Sequence, residues 1–365
     1  MSNTYFITGF PGFLAGELMR EIIRENKEIG HIYLLCLPNM REKADYDLNV
    51  ISDETGLSIN NFTIVTGDIT KPNIGVTEEF TQKLKSVVTH AFHLAAIYDL
   101  AVDKNSAELV NVNGTRNVTE FVDQMKNIAR YIYFSTAYVS GKREGRIYEK
   151  ELVMNQQFKN HYERTKYEAE VIVRDRMNDI PTTIIRPGIV RGHSITGATV
   201  KYDGPYFMLH LFDRLKFLPV IPYIGSGEAE GNFVPVDYVI RATIYLSHLP
   251  KGVNKTYHLT DPAPFLMKEV YEMLAKEFIN RKPRGKIPFS IANSMMRIGT
   301  VRKWLRVERE SLPYFDCHSV YDTRTARNDL RGSGIDCPRF DKTVKKMVQY
   351  YRENKHREEK YIKIY

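Results

Sequence analysis

The chain has 365 residues, 43% of them hydrophobic and 26% charged, a balance that excludes a disordered, collagen-like or coiled-coil protein. Lys and Arg outnumber Asp and Glu by 52 to 44, but the signs are interspersed, and the thickest basic cluster, Lys345 through Lys363, is interrupted by Glu353, Glu358 and Glu359. The surplus therefore reads as a solvated face that attracts anionic ligands such as a dinucleotide or a coenzyme A ester, not as a nucleic-acid site.

Three widely spaced cysteines, Cys36, Cys317 and Cys337, with no Cys/His cluster, argue for a reducing compartment and against a metal site. No run approaches the ~18 apolar residues of a membrane span, so the expected location is the cytoplasm. Tyr5 to Thr8 reads as a strand, and Phe13 to Lys27 as a helix with Leu14, Leu18, Ile22 and Ile23 on one side. Strands follow at Ile32 to Leu37, Phe62 to Val65 and His90 to Leu94, then a helix over Asn105 to Met125. Tyr131 to Ser135 is a strand, His161 to Met177 a helix, and Thr182 to Arg186 a strand closed by Pro187 and Gly188. Strands alternating with helices must cross over in parallel, which predicts an α/β fold with a doubly wound parallel sheet. Residues 191 to 235 are rich in Gly, Pro and aromatics and read as an irregular lobe walling a pocket. Phe233 to Tyr257 returns to strand-helix-strand texture, and 263 to 345 is mainly helical. The expected division is a dinucleotide-binding domain over 1–190, rejoined by 233–260. A smaller, mainly helical substrate lobe takes 191–232 and 261–345, and 346–365 is a basic tail. The stretch Phe289 to Glu310 reads as one amphipathic core helix, with contact to a membrane surface or lipid substrate as the other reading.

Thr8-Gly9-Phe10-Pro11-Gly12-Phe13-Leu14-Ala15-Gly16 lies between the first strand and its helix. Glycines there let a pyrophosphate approach the backbone, and the helix N-terminus offers free N–H groups to the anion. Tyr162-Glu163-Arg164-Thr165-Lys166 puts a phenol and an ammonium on one helix face. Reducing a carbonyl needs a proton donor for its oxygen, and a phenol near pKa 10 requires a neighbouring cation to bring it down.

These segments resemble the extended short-chain dehydrogenases, the epimerase/dehydratase-like branch with a Rossmann-type fold. Thr-Gly-x-x-Gly-x-x-Gly is that family's cofactor loop, although Ala15 stands where the third glycine usually sits. Gly67-Asp68-Ile69 is similar to its adenine-side element, and His93-Leu94-Ala95-Ala96 to the strand end flanking the nicotinamide side. Val112-Asn113-Gly114-Thr115-Arg116-Asn117 resembles its Asn-x-x-Gly-Thr helix start, with Asn113 counted among the cofactor-side residues. Arg186-Pro187-Gly188-Ile189-Val190 resembles the element leading to the substrate lobe, and Phe233 to Tyr238 a later architectural segment. The resemblance implies a catalytic set of Thr136, Tyr162 and Lys166, with Ser135 structural. In that family the lysine also hydrogen-bonds the nicotinamide ribose. NAD-preferring members end the second strand with an acid; here it ends Leu35-Cys36-Leu37-Pro38-Asn39, followed by Arg41 and Lys43, which favours NADP(H) over NAD(H).

Within the superfamily the texture is closest to the fatty acyl-CoA reductase and thioester reductase branch, known from male-sterility proteins. Ser135-Thr136-Ala137-Tyr138-Val139, Ile32-Tyr33-Leu34-Leu35 and the apolar lobe opened by Lys201 to Tyr206 carry this likeness. It implies hydride transfer to a small-molecule carbonyl substrate, an acyl-CoA or acyl carrier protein thioester. Thr136 and Tyr162 would hold the oxygen, and collapse of a hemithioacetal would release aldehyde. The other readings are a nucleotide-sugar epimerase or dehydratase, a hydroxysteroid-type dehydrogenase, and a non-catalytic dinucleotide sensor. No metal and no nucleic-acid partner are expected, and a homodimer is allowed.

Overall fold

A computed structural model describes residues 2–25 and 28–364. Seven strands form the main sheet: β1 (Asn3–Thr8), β2 (Ile29–Cys36), β3 (Phe62–Thr66), β4 (His90–His93), β5 (Arg130–Phe134), β6 (Thr182–Pro187) and β7 (Lys255–Leu259). Their order is β7-β6-β5-β4-β1-β2-β3, every neighbour parallel. Strands buried on both faces need near-continuous apolar sequence, and Tyr131, Ile132 and Tyr133 of β5 are fully buried. The order reverses between β1 and β4, which opens a crevice at their carboxyl ends. Register pairs Thr8 with Leu35 on one side and His93 on the other, so three strand ends finish level beneath it.

Helices cover both faces. Phe13–Arg24, Arg41–Thr55 and Val236–His248 pack Leu18, Ile22, Leu48, Ile51, Val239 and Ile244 against one face. On the other, Glu78–Val87, the helical run through Lys104–Ala107, Glu108–Asn113 and Gly114–Asp123, and His161–Asp175 supply Leu84, Phe121, Val122, Ala169 and Val173. The expected strands and helices of this half are present with ends shifted by a few residues. Lys27, the expected end of the first helix, lies outside the described residues.

Two helices were not anticipated. Arg41–Thr55 buries only Ala44, Leu48 and Ile51, a narrow stripe in an otherwise polar segment, and stops on left-handed Gly56. Glu78–Val87 starts on Thr77, whose hydroxyl accepts the Phe80 N–H at 3.4 Å.

The second lobe departs from the sequence reading in three places. The region expected to be irregular contains the helix Tyr206–Leu215, with Tyr206, Leu209 and Phe212 in the lobe core. The boundary at 345 cuts the helix Phe340–Asn354, whose Met347, Val348 and Tyr351 pack with Tyr202, Val270 and Leu274; residues 346–354 thus belong to the lobe, not to a tail. Phe289 to Glu310 is not one helix but two short ones, Phe289–Met295 and Gly299–Leu305. The Arg302 guanidinium crosses the break, donating to the carbonyls of Met296 (3.0 Å) and Arg297 (3.2 Å).

The lobes are laced together. Gly145–Ile147 pairs with Ser319–Tyr321 across them, while Ile189–Arg191 pairs with Phe233–Pro235 where the chain leaves and rejoins the first lobe. The buried Glu149 carboxylate accepts N–H groups of His258 (3.1 Å), Thr325 (2.7 Å) and Ala326 (3.0 Å), joining β7 to the start of the helix Arg324–Leu330.

Candidate active site

The loop after β1 is built so that nothing protrudes into the crevice. Gly9 has φ +89°, and a Cβ there would lie 2.8 Å from the Ala95 nitrogen. A Cβ on Gly12 would lie 2.5 Å from the Gly9 carbonyl oxygen, which accepts the Gly12 N–H at 2.8 Å. Gly12 caps the helix Phe13–Arg24, whose first turn holds no acidic residue. Thr8, Gly9, Phe10, Pro11, Gly12, Phe13 and Leu14 thus meet at one helix N-terminus, a cradle of the shape and polarity that a pyrophosphate needs. Ala15 is buried beneath the helix, so the missing third glycine leaves packing intact.

Beside the cradle, the Thr8 hydroxyl accepts the Ala95 N–H (3.1 Å) and meets His93 Nδ1 (2.8 Å); His93 Nε2 meets the Thr115 hydroxyl (3.1 Å). Burial first, then the Lys166 charge, pushes His93 down to about 3. It is a neutral bridge that fixes the Leu94-Ala95-Ala96 turn, not a proton donor. Asp68 Oδ1 accepts from the backbone and hydroxyl of Thr70, at 2.9 and 2.8 Å. Ile69 is buried under Gly114, and its carbonyl accepts from Asn117 Nδ2 at 2.7 Å. Asn113 points out and is exposed. The buried residue is Asn111, whose amide bonds Ile97 through Oδ1 (2.8 Å) and Nδ2 (3.2 Å) and reaches Thr165 Oγ1 (3.1 Å). Counted back from Gly114 and Thr115, the Asn-x-x-Gly-Thr spacing falls on Asn111, and a shift of two residues along a helix moves a side chain to the opposite face, so Asn113 does not share the buried position of Asn111. Arg41 opens the helix after β2 and pairs with Asp45 at 2.8 Å. At the far wall, Pro187, Gly188 and Ile189 are pinned by Gly188 N–H to Leu259 (3.1 Å) and Ile189 N–H to Asn232 (2.9 Å).

β5 ends directly beneath this crevice. Asn160 caps the helix His161–Asp175 by accepting the Glu163 N–H at 2.9 Å, which sets Tyr162 in the first turn and Lys166 one turn later. The two adjacent hydroxyls at the end of β5 have different partners. Ser135 donates to Glu170 Oε2 at 2.6 Å, whereas the Thr136 hydroxyl accepts the Tyr138 N–H at 3.3 Å and lies beside Tyr162. Glu170 is fully buried and takes Arg186 through both carboxylate oxygens (2.7 to 3.2 Å) and Arg174 (2.9 Å). Burial would raise its carboxyl, but Arg186 leads the groups that bring it below its ordinary value.

Lys166 donates to the Phe134 carbonyl at 2.6 Å and sits 4.4 Å over the Tyr133 ring. Burial lowers it to about 7, against the opposing pull of Glu170. Tyr162 is 8% exposed, and burial raises its phenol above the ordinary value while the neighbouring Thr136 hydroxyl opposes this. The sequence-based expectation that the lysine brings the phenol down is therefore not met here: desolvation disfavours both charges. What results is a neutral O–H donor next to a second hydroxyl, an arrangement able to hold and protonate a carbonyl oxygen.

Three side chains face this centre that the sequence did not single out. Tyr98, 46% exposed, stands edge-on to Tyr162 with ring centroids 5.4 Å apart. Asp203 lies beside it, and burial raises that carboxyl to about 6. Glu308 is 5% exposed and is raised to about 8, by burial and then by the charges of Asp99 and Glu310. Tyr98, Asp203 and Glu308 come from segments about a hundred residues apart, so no local signal marks them.

A family model described as "Male sterility protein" matches residues 7–243. Fatty acyl-CoA reductase 2, chloroplastic, of Arabidopsis thaliana is 25% identical over 322 residues, covering 66% of this chain and 50% of that protein. The non-canonical nonribosomal peptide synthetase cpsA of Aspergillus campestris is 27% identical over 303 residues, covering 78% of this chain but 28% of that protein. Among solved structures, the terminal R domain from the myxalamid PKS-NRPS biosynthetic pathway superposes with a TM-score of 0.80 at 25% identity, covering 98% of this chain and 92% of that domain. The chain spans about half the length, or less, of the first curated relatives it matches.

Proposed function

Since this chain belongs to the NAD-binding male sterility protein family, we propose that it is an NADP(H)-dependent reductase of acyl thioesters. The observation that carries the reading is the meeting of Thr136 and Tyr162 at the end of β5 with Lys166 buried behind them. The glycine cradle fits a dinucleotide pyrophosphate, with Thr8 to Leu14 holding it, Asp68 and Ile69 on the adenine side, and Arg41 near the ribose. Leu94 to Ala96 and Pro187 to Ile189 would flank the nicotinamide. A nicotinamide dinucleotide bound there supplies hydride to a carbonyl carbon.

The chain's own residues do the rest. The Thr136 hydroxyl and the Tyr162 O–H hold the thioester oxygen as negative charge develops on it. Tyr162 Oη then gives up its proton to that oxygen, while Lys166, held on the Phe134 carbonyl one helical turn away, would contact the nicotinamide ribose. The terminal R domain that superposes on this chain and the acyl-CoA reductase that aligns with it support a thioester carried on coenzyme A or a carrier protein.

Incubation with NADPH, an acyl-CoA series and an aldehyde trap tests this. Cofactor oxidation with trapped aldehyde is expected, and Tyr162→Phe should lower turnover by about 10²- to 10⁴-fold without lowering the melting temperature. Nucleotide-competent protein that oxidises no cofactor at any chain length would refute the thioester reading. Tightly retained NAD in the purified protein would point to sugar nucleotides instead.

A further inference from the structure

The net charge of the chain is +8, and its distribution is uneven. Residues 281–306 contain Arg281, Lys282, Arg284, Lys286, Arg297, Arg302, Lys303 and Arg306 and no acid at all, while the rest of the chain balances 44 basic residues against 44 acidic ones. The segment expected to carry the densest charge, Lys345 through Lys363, is diluted by its three glutamates. Lys282 lies 3.6 Å from Glu272 and Arg306 3.0 Å from Glu358, whereas Arg284, Arg297 and Lys303 make no ion pair among the described residues.

The same 26 residues expose apolar side chains. Phe289, Met296, Val301 and Leu305 of the two short helices and the turn between them pack with Phe207 and Leu312, so their inward face is already satisfied. Yet Ile291 (52%), Met295 (48%), Ile298 (54%) and Trp304 (45%) remain exposed. A second segment is joined to the same stretch of chain: Lys286 and Ile287 pair with Tyr223 and Ile224, and Arg281 donates to the carbonyls of Lys216 and Leu218. That brackets Phe217, 71% exposed, the most exposed aromatic ring of any phenylalanine in the described residues. Exposed large apolar groups rimmed by unpaired cations are what a headgroup layer accommodates, with the rings and aliphatic chains at the acyl boundary and the cations at the phosphates.

We propose that the surface formed by residues 216–220 and 281–306 docks on an anionic phospholipid bilayer. Charge complementarity favours this occupant, because the segment carries eight cations and no acid, and Arg284, Arg297 and Lys303 among them have no carboxylate partner among the described residues. The docking does not rest on the reductase reading, since no residue of the crevice takes part. No helix of the described residues is long and apolar enough to cross a membrane, so the contact is interfacial and reversible.

The chain's single tryptophan reports on the test. Full-length protein is mixed with phosphatidylcholine vesicles containing or lacking phosphatidylglycerol, and Trp304 emission and co-sedimentation are read. The expected result is a blue shift and pelleting with the anionic vesicles only, weakened by salt. Each Lys or Arg near such a surface is worth roughly fivefold in partitioning, so the double variant Arg297→Glu/Lys303→Glu should lose at least about 30-fold. Phe217→Ser/Ile291→Ser should lose binding with nucleotide fluorescence and circular dichroism unchanged. No shift with anionic vesicles, equal binding to both vesicle types, or binding indifferent to these substitutions would overturn the proposal. A shift with an acidic carrier protein but not with vesicles would overturn it too, and assign the surface to a protein partner.

Discussion

Replacing Lys166 with methionine should weaken catalysis while relieving the fold of a pH-dependent burden. Lys166 is 4% exposed, and burial, opposed by Glu170, lowers its pKa from 10.5 to about 7. The unfolded chain keeps the proton up to about 10.5 and the folded chain releases it near 7. Between those values the unfolded state binds more protons, so wild-type stability rises with pH across the window, and the penalty is complete below about pH 7. Each pH unit inside the window is worth ~1.4 kcal/mol. Going from pH 9 to pH 7 should therefore cost the wild type roughly 2–3 kcal/mol that the methionine variant does not lose. The variant also forfeits the 2.6 Å bond to the Phe134 carbonyl, worth about 0.5–1.5 kcal/mol from a neutral amine. That term shifts the variant at both pH values, so the comparison is made between pH values. Urea denaturation of both proteins at pH 7 and pH 9 is the assay, with turnover measured alongside and expected to fall by about 10²-fold or more. A stability difference between the two proteins that is the same at both pH values would refute the reasoning, because the ammonium would then not be penalised by burial.

Three further outcomes are expected. Glu170→Gln leaves Arg186, 1% exposed, without its carboxylate and should cost about 3–5 kcal/mol in denaturant unfolding. Gly9→Ala forces a side chain to φ +89° and 2.8 Å from Ala95 N, so nucleotide affinity by NADPH fluorescence should drop at least about tenfold, with strain of roughly 1–3 kcal/mol. Arg41→Ala should narrow the ratio of NADPH to NADH affinity several-fold, and an unchanged ratio would remove Arg41 from the ribose pocket.

The sheet was legible because strands buried on both faces must be continuously apolar, and Tyr5 to Thr8 or Tyr131 to Phe134 have no other use in a chain of this composition. The glycine cradle and the Tyr162–Lys166 spacing were legible because each is set within a few residues by local backbone geometry. What escaped depended on distant partners or on thin burial. Arg41–Thr55 hides three side chains and therefore shows little periodicity. Asn111 was within reach of the sequence, since it and not Asn113 stands three residues before Gly114 in the Asn-x-x-Gly-Thr spacing. Tyr98, Asp203 and Glu308 come together from three separate segments, and only the folded chain makes them neighbours. The end of the chain misled through its charge, since Met347, Val348 and Tyr351 lie among lysines that face outward.

The threefold grip of Glu149 on His258, Thr325 and Ala326 bears on how the molecule comes apart. The chain passes into the helical lobe, back to β7, out again, and back to lay Ser319–Tyr321 beside Gly145–Ile147. Neither lobe is a contiguous stretch that a ribosome could release and let fold early. Cutting after residue 260 would strip the sheet of the helix that covers its β7 edge and leave Glu149 with two of its three backbone donors missing. Melting should accordingly proceed as one cooperative event, and fragments designed at the apparent lobe boundary should be insoluble rather than half-functional.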